Sequence, residues 1–194
     1  MQPLLHANPP HVLLVDDEPA ILHALVRTLR RGVVDGLWQP LRTEIFTEPA
    51  AALARAREQS FALCISDFRM PGMNGAQFLT ALRECQPDCR RVILSAHADF
   101  DGLTDAINSA RISQFMSKPW NEPELLAAVH EQLEEHRRVV ELQLLAEQQR
   151  LARGELSPQE AERRRLERLE PGITQVRWSS DGAYVLDPVG AAAY

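Results

Sequence analysis

Three features of the sequence predict an α/β fold, a parallel sheet covered by helices on both faces. Short apolar runs alternate with helical stripes as far as about residue 130. The runs are nearly continuous in apolar character, as strands buried on both faces require. Acidic and hydroxyl residues and a lysine stand at the ends of those runs, where ligands collect in open parallel sheets.

Val12-Leu13-Leu14-Val15 is the first strand, ending at Asp16-Asp17-Glu18. Pro19 suits a first helical turn, and Ile21, Leu22, Leu25, Val26 and Leu29 give the helical stripe, with Gly32 expected to stop it. The stretch Val33–Leu41 is expected as a long loop. Thr43–Phe46 follows as a weaker strand, then an Ala-rich helix over Pro49–Gln59. Phe61–Ser66 is the third strand, with Asp67 at its carboxyl end. Gly75–Cys85 is helical, Arg91–Ser95 a fourth strand, Leu103–Ala110 a short helix and Ile112–Met116 a fifth strand. Lys118-Pro119 opens a turn.

From Glu122 a long polar helix is expected to about Arg153. Leu126, Val129, Leu133 and Val140 fit an alternating three-four spacing in which His136 is the exception, so a short coiled coil is one outcome. Gly154 breaks this helix. Ser157-Pro158-Gln159-Glu160 reads as an N-cap, a proline at the first position and a capping-box glutamate, starting a second helix to Leu169. Pro171-Gly172 ends it, and Ile173–Trp178 and Tyr184–Leu186 around Ser180-Asp181-Gly182 suggest a hairpin. The expected division is a tail over 1–10, an α/β domain over 11–135, an extended helix over 136–153, a second helix over 154–170 and a hairpin-like tail over 171–194.

With 194 residues, 45% hydrophobic and 25% charged, the chain has ordinary globular composition, which excludes wholesale disorder and collagen-like repeats. No stretch approaches the roughly 20 apolar residues that span a bilayer. The first ten residues lack a secretory pattern. The net charge of −6 argues against a general nucleic-acid binder. Arg163-Arg164-Arg165 is interleaved with Glu160, Glu162 and Glu167, which reads as a solvated, salt-bridged face. Cys64, Cys85 and Cys89 are odd in number and fit no zinc ribbon, so reduced thiols and a cytoplasmic location are expected.

Asp16, Asp17 and Asp67 at adjoining strand ends would repel one another unless a cation offsets them. A hard divalent ion with oxygen ligands does this, and Mg²⁺ suits a few carboxylates with waters and a phosphate oxygen. Lys118 brings a second positive charge. A carboxylate between a metal and an ammonium group can attack a phosphoryl group, because both cations offset charge on its oxygens. Ser95 is placed to hydrogen-bond a phosphoryl oxygen.

Four segments in order, Val12–Glu18, Ser66–Gly75, Leu94-Ser95-Ala96 and Ser117-Lys118-Pro119-Trp120, closely resemble the receiver domain of two-component response regulators. The resemblance covers roughly residues 10–135. It implies a (βα)₅ flavodoxin-like, doubly wound sheet of strand order 2-1-3-4-5. It implies Asp67 as the phosphoacceptor, charged by a sensor histidine kinase or phosphotransfer protein. Asp17, Asp67 and the backbone carbonyl of Arg69 would ligate Mg²⁺, with Asp16 acting largely through water. Ser95 would be the switch hydroxyl, Lys118 the phosphate-binding lysine and Phe115 the aromatic switch, and the Lys118-Pro119 bond would be cis.

The resemblance implies a signalling module with no enzymatic activity beyond its own phosphorylation and dephosphorylation. Its output would run through homodimerisation or partner contacts of the C-terminal helices, with no direct nucleic-acid or membrane binding. The segment after Lys118 also looks like receivers attached to HD-GYP or GGDEF effectors of cyclic-di-GMP, so a fragment of such an effector is the alternative. Neither catalytic motif occurs in the chain. A haloacid-dehalogenase-like phosphatase would share the aspartate, Mg²⁺ and lysine, yet it needs a second acid where this sequence has Arg69.

Overall fold

The computed structural model describes residues 9–34, 36, 40–96, 110–171 and 173–174. Five strands, β1 (His11–Val15), β2 (Arg42–Phe46), β3 (Leu63–Asp67), β4 (Arg90–Ser95) and β5 (Gln114–Ser117), form one sheet in the order β2-β1-β3-β4-β5. Every pairing in it is parallel. Five helices lie within the described residues: α1 (Pro19–Val34), α2 (Pro49–Ala56), α3 (Gly75–Cys85), α4 (Glu122–Ala152) and α5 (Pro158–Leu169).

Both faces of the sheet are buried because both sets of alternating side chains are apolar. Val12 and Leu14 of β1 join Leu22, Leu25 and Leu29 of α1 and Leu125, Val129 and Leu133 of α4 in one core cluster. Leu13 and Val15 join Leu53 of α2 and Phe78, Leu79 and Leu82 of α3 in the other. Each such side chain, fully buried, stabilises the fold by roughly 1.5–3 kcal/mol relative to exposure. The sheet thus holds its carboxyl edge rigid between two packed layers.

Local signals set most helix ends. The Asn74 side chain accepts from the Gln77 amide and Gln77 answers with a bond from the Asn74 amide, a capping box that starts α3 at Gly75. The Ser157–Glu160 box expected from the sequence opens α5. Gly154, at φ +71°, ends α4 in the left-handed conformation that glycine adopts freely, with the Glu155 amide reaching back to the Arg150 carbonyl at 2.9 Å.

Two helix ends differ from expectation. Gly32 does not stop α1, which runs to Val34; a lone glycine costs a helix only about 1 kcal/mol, and the turn comes at Gly36, at φ +74°. The second helix stops at Ala56 rather than Gln59 because tertiary bonds capture its last carbonyls. Gln86 Nε2 donates to the carbonyls of Ala56 at 2.5 Å and Gln59 at 2.6 Å, while its Oε1 accepts from the Phe61 amide at 2.8 Å.

At 31 residues, α4 spans about 46 Å, far longer than its neighbouring strands. Its first turns bury Leu125, Leu126, Val129 and Leu133, and the helix crosses residue 135 without a break. Beyond that it is gripped from the amino-terminal edge of the sheet. His136 Nδ1 lies 3.0 Å from the Asp88 carbonyl, and Gln143 Nε2 donates to both Asp88 carboxylate oxygens at 3.1 Å. Helix α5 folds back: Arg168 pairs with Glu147, and its carbonyl accepts from Ser60 Oγ at 2.5 Å. His136 is therefore no flaw in a stripe but a contact to the α/β domain. Most of the expected helix at 103–110, the 1–8 end and most of the expected hairpin lie outside the described residues; Ala110 is helical and Ile173 and Thr174 form a turn.

Candidate phosphoacceptor site

The parallel order brings the carboxyl ends of β1, β3, β4 and β5 side by side, so residues far apart in sequence meet at one edge. Asp16 follows β1 and is 1% exposed, while Asp67 ends β3 and is 6% exposed. Lys118 follows β5 and lays its ammonium between them, Nζ standing 2.6 Å from Asp16 Oδ2 and 2.5 Å from Asp67 Oδ1. The other oxygens are held by main-chain donors: the Glu18 amide gives to Asp16 Oδ1 at 3.0 Å and the Arg69 amide to Asp67 Oδ2 at 2.7 Å. Such charge-assisted bonds fix both carboxylates in position.

Burial pushes the Asp16 carboxyl above the usual carboxylate range, against the pull of Lys118 and the Glu18 amide. Burial also works against the charged form of Lys118, but its bonds to Asp16 and Asp67 outweigh that and hold the ammonium above its ordinary value. The two directions oppose each other across one 2.6 Å contact. The lysine's governs near neutrality, since two carboxylates share it.

Ser95 ends β4, buried at 1% exposure, one residue beyond the Asp67↔Leu94 pairing of the sheet. Its carbonyl accepts the Lys118 amide at 2.6 Å, tying the lysine's backbone to the hydroxyl's strand. Phe115 sits on β5, partly buried against the α2–α3 side of the core. The Lys118-Pro119 bond is cis. Asp17 is exposed beside Asp16. Among the described residues no group of three His, Cys, Asp or Glu side chains is gathered closely enough to hold a metal ion. The oxygen donors present, two buried carboxylates with the exposed Asp17 next to Asp16 in the chain, still match what a hard ion such as Mg²⁺ takes, since it uses few carboxylates and keeps several waters.

Gly75 holds the loop after Asp67 at contact distance. Its amide donates to the Phe68 carbonyl at 2.9 Å, and a Cβ at this position would stand 2.1 Å from the Asp67 carbonyl oxygen. The sequence marks Gly75 as a helix start and as one of the residues that shape the loop after Asp67; the close approach itself is a tertiary fact.

The response regulator receiver domain model matches residues 12–130, more than half of the chain and the same span that builds this edge. The chain belongs to the response regulator receiver family. It carries the receiver domain of a two-component response regulator. Among relatives, it is 34% identical over 123 residues to the hydrogenase transcriptional regulatory protein HoxA of Cupriavidus necator, covering 63% of this chain and 24% of that one. It is 32% identical over 139 residues to the alginate biosynthesis transcriptional regulatory protein AlgB of Pseudomonas aeruginosa, covering 72% and 29%. The chain thus spans about a quarter of the length of the curated relatives it matches. Among solved structures, the receiver resembles the signal receiver domain of an HD domain-containing protein from Pseudomonas fluorescens Pf-5, with TM-score 0.62, 28% identity and coverage of 68% of this chain and 99% of that one. A protein from Neptuniibacter caesariensis matches at TM-score 0.59 and 36% identity, covering 66% and 92%. Receiver domains generally bind Mg²⁺ at the phosphorylation site. No helix among the described residues of this receiver is long and apolar enough to cross a membrane.

Proposed function

We propose that Asp67 accepts a phosphoryl group from the phosphohistidine of a sensor kinase or phosphotransfer protein. The observation that carries this reading is the bridge of Lys118 Nζ to Asp16 and Asp67 at 2.6 and 2.5 Å. A carboxylate oxygen of Asp67 attacks phosphorus, the P–N bond breaks, the imidazole leaves with its electron pair, and an acyl phosphate remains. As negative charge gathers on the phosphoryl oxygens, Lys118 neutralises it from one side. Asp17, Asp67 and the Arg69 carbonyl would hold Mg²⁺ directly and Asp16 through water, and the ion would supply positive charge on the other side. Ser95 would hydrogen-bond a phosphoryl oxygen, and Phe115 would repack as Ser95 moves, biasing a two-state equilibrium.

The output reading is contact between protein surfaces, through dimers or partners of α4 and α5. Leu142 and Leu145 on α4 are 66% and 50% exposed, one helical turn apart, and they support this. On α5, Arg165 pairs with Glu162 at 2.9 Å, which favours a solvated face over a nucleic-acid one. Three free cysteines, two of them buried, support a cytoplasmic setting. The test is mass spectrometry after incubation with acetyl phosphate and Mg²⁺: one phosphoryl group on the native chain and none on Asp67→Asn. Equal labelling of the two overturns the assignment.

A further inference from the structure

The function above makes no use of Arg91, a cation buried to 6% exposure at the start of β4. Among the described residues no carboxylate pairs with it. Among the described residues its guanidinium donates to main-chain carbonyls alone: Nε to Ala110 at 2.8 Å, one terminal nitrogen to Cys89 at 2.5 Å and Pro87 at 3.3 Å, the other to Arg111 at 3.5 Å. Burying an unpaired charge is costly, and an apolar side chain could fill the same space. What the planar fork achieves that an apolar residue would not is to fasten two separate segments together.

One segment is the turn that leads into β5. Arg111 there has φ +47°, a left-handed conformation unfavourable for a residue with a Cβ, so the surroundings must hold it. Arg91 holds it twice over, since its main chain also pairs with Ser113, whose amide donates to the Arg91 carbonyl at 2.7 Å. From this turn the chain runs through β5 to Lys118. The other segment is the α3–β4 loop. Between the two carbonyls that Arg91 grips lies Asp88, the residue that holds His136 and Gln143 of α4.

We propose that Arg91 is a positioning residue that couples the strained turn before β5 to the Asp88 loop, and through it to the helical extension beyond residue 135. A shift of the turn draws on the shared guanidinium and loosens or tightens the grip of Asp88 on α4. The extension is thereby linked, at the amino-terminal edge of the sheet, to the strand β5 that leads to Lys118 at the opposite, carboxyl edge. The role under phosphorylation rests on the reading of Asp67 given above; the coupling itself does not.

Amide hydrogen exchange on the full chain tests both. In the unphosphorylated protein, Arg91→Met should speed exchange in residues 110–113 and also in 136–147, the latter by at least about fivefold, the low end of ordinary coupling between sites. Asp88→Ala should speed 136–147 alone, and the double variant should go no further there than Asp88→Ala. Unchanged exchange in 136–147 of Arg91→Met, or effects that multiply in the double variant, overturns the coupling. Should Arg91→Met not fold, Arg91→Lys, which keeps the charge and loses the fork, is expected to move both segments in the same direction. With acetyl phosphate and Mg²⁺, the native chain should change exchange in both segments and Arg91→Met only in the turn. Mass measurement on the same samples separates the two ideas: absence of the phosphoryl group on the native chain overturns the Asp67 reading, and the unphosphorylated comparison still decides the coupling.

Discussion

His136 Nδ1 and the main-chain oxygen of Asp88 lie 3.0 Å apart, joining the middle of the long helix to a loop 48 residues earlier. A carbonyl only accepts, so the ring carries its proton on Nδ1 in the neutral form. Burial lowers the pKa of His136, with Arg90 adding to the effect and Asp88 opposing it. Between the lowered folded value and about 6.5, the unfolded chain binds the extra proton, so stability there rises with pH. Urea unfolding should show a contribution intact above about pH 6.5 and lost as pH falls below it. His136→Gln should flatten that slope, and a native chain with no slope in this range would refute the assignment.

Removing Lys118 leaves Asp16 and Asp67 buried beside each other with no ammonium between them. Lys118→Met is expected to destabilise the fold by about 3–5 kcal/mol near neutrality. Because burial already pushes the Asp16 carboxyl up, the deficit should narrow as pH falls and Asp16 takes a proton, and added Mg²⁺ should narrow it by restoring positive charge. Labelling of Asp67 should slow by about a hundredfold or more, the usual scale for losing one such electrostatic contact. Thermal unfolding and timed mass spectra check the two parts separately.

Gly75→Ala drives a methyl group to 2.1 Å from the Asp67 carbonyl oxygen, so backbone has to move. A loss of about 1–3 kcal/mol is expected from overpacking, together with slower labelling of Asp67. A variant as stable and as reactive as the native chain would show that the loop after Asp67 has room to adjust.

Light scattering should find a dimer that weakens when Leu142 and Leu145 are both replaced by Glu. Truncation should be made after Arg137, since Leu125, Leu126, Val129 and Leu133 belong to the core and an earlier cut would unfold the domain. A monomer at high concentration, with and without the phosphoryl group, contradicts dimeric output.

How much of this was legible before folding depends on how local each signal is. Helix α3 was readable to its terminal residues, Gly75 and Cys85, because cap, stripe and turn all lie within a few residues of one another. That Asp16, Asp67, Ser95 and Lys118 stand at one edge was readable because a parallel sheet with helical crossovers sends every strand's carboxyl end to the same side. Arg91, by contrast, stands at the head of an apolar strand, where a charge in a buried run is its one local signal and its partners are all set by tertiary structure.

The amino-acid order by itself determined that there are five strands, that they pair in parallel, and that carboxylates and a lysine stand at the sheet's carboxyl edge, although β3 and β5 begin two residues later than the pattern predicts. These follow from apolar period and from topology rules that hold for any such chain. Tertiary structure alone decided that α2 stops at Ala56, that His136 faces Asp88, and that α5 returns to Ser60 instead of standing free. Each of those rests on a hydrogen bond between groups distant in sequence. Such a bond has no periodicity to read; it exists only once the packed core has brought donor and acceptor within about 3 Å.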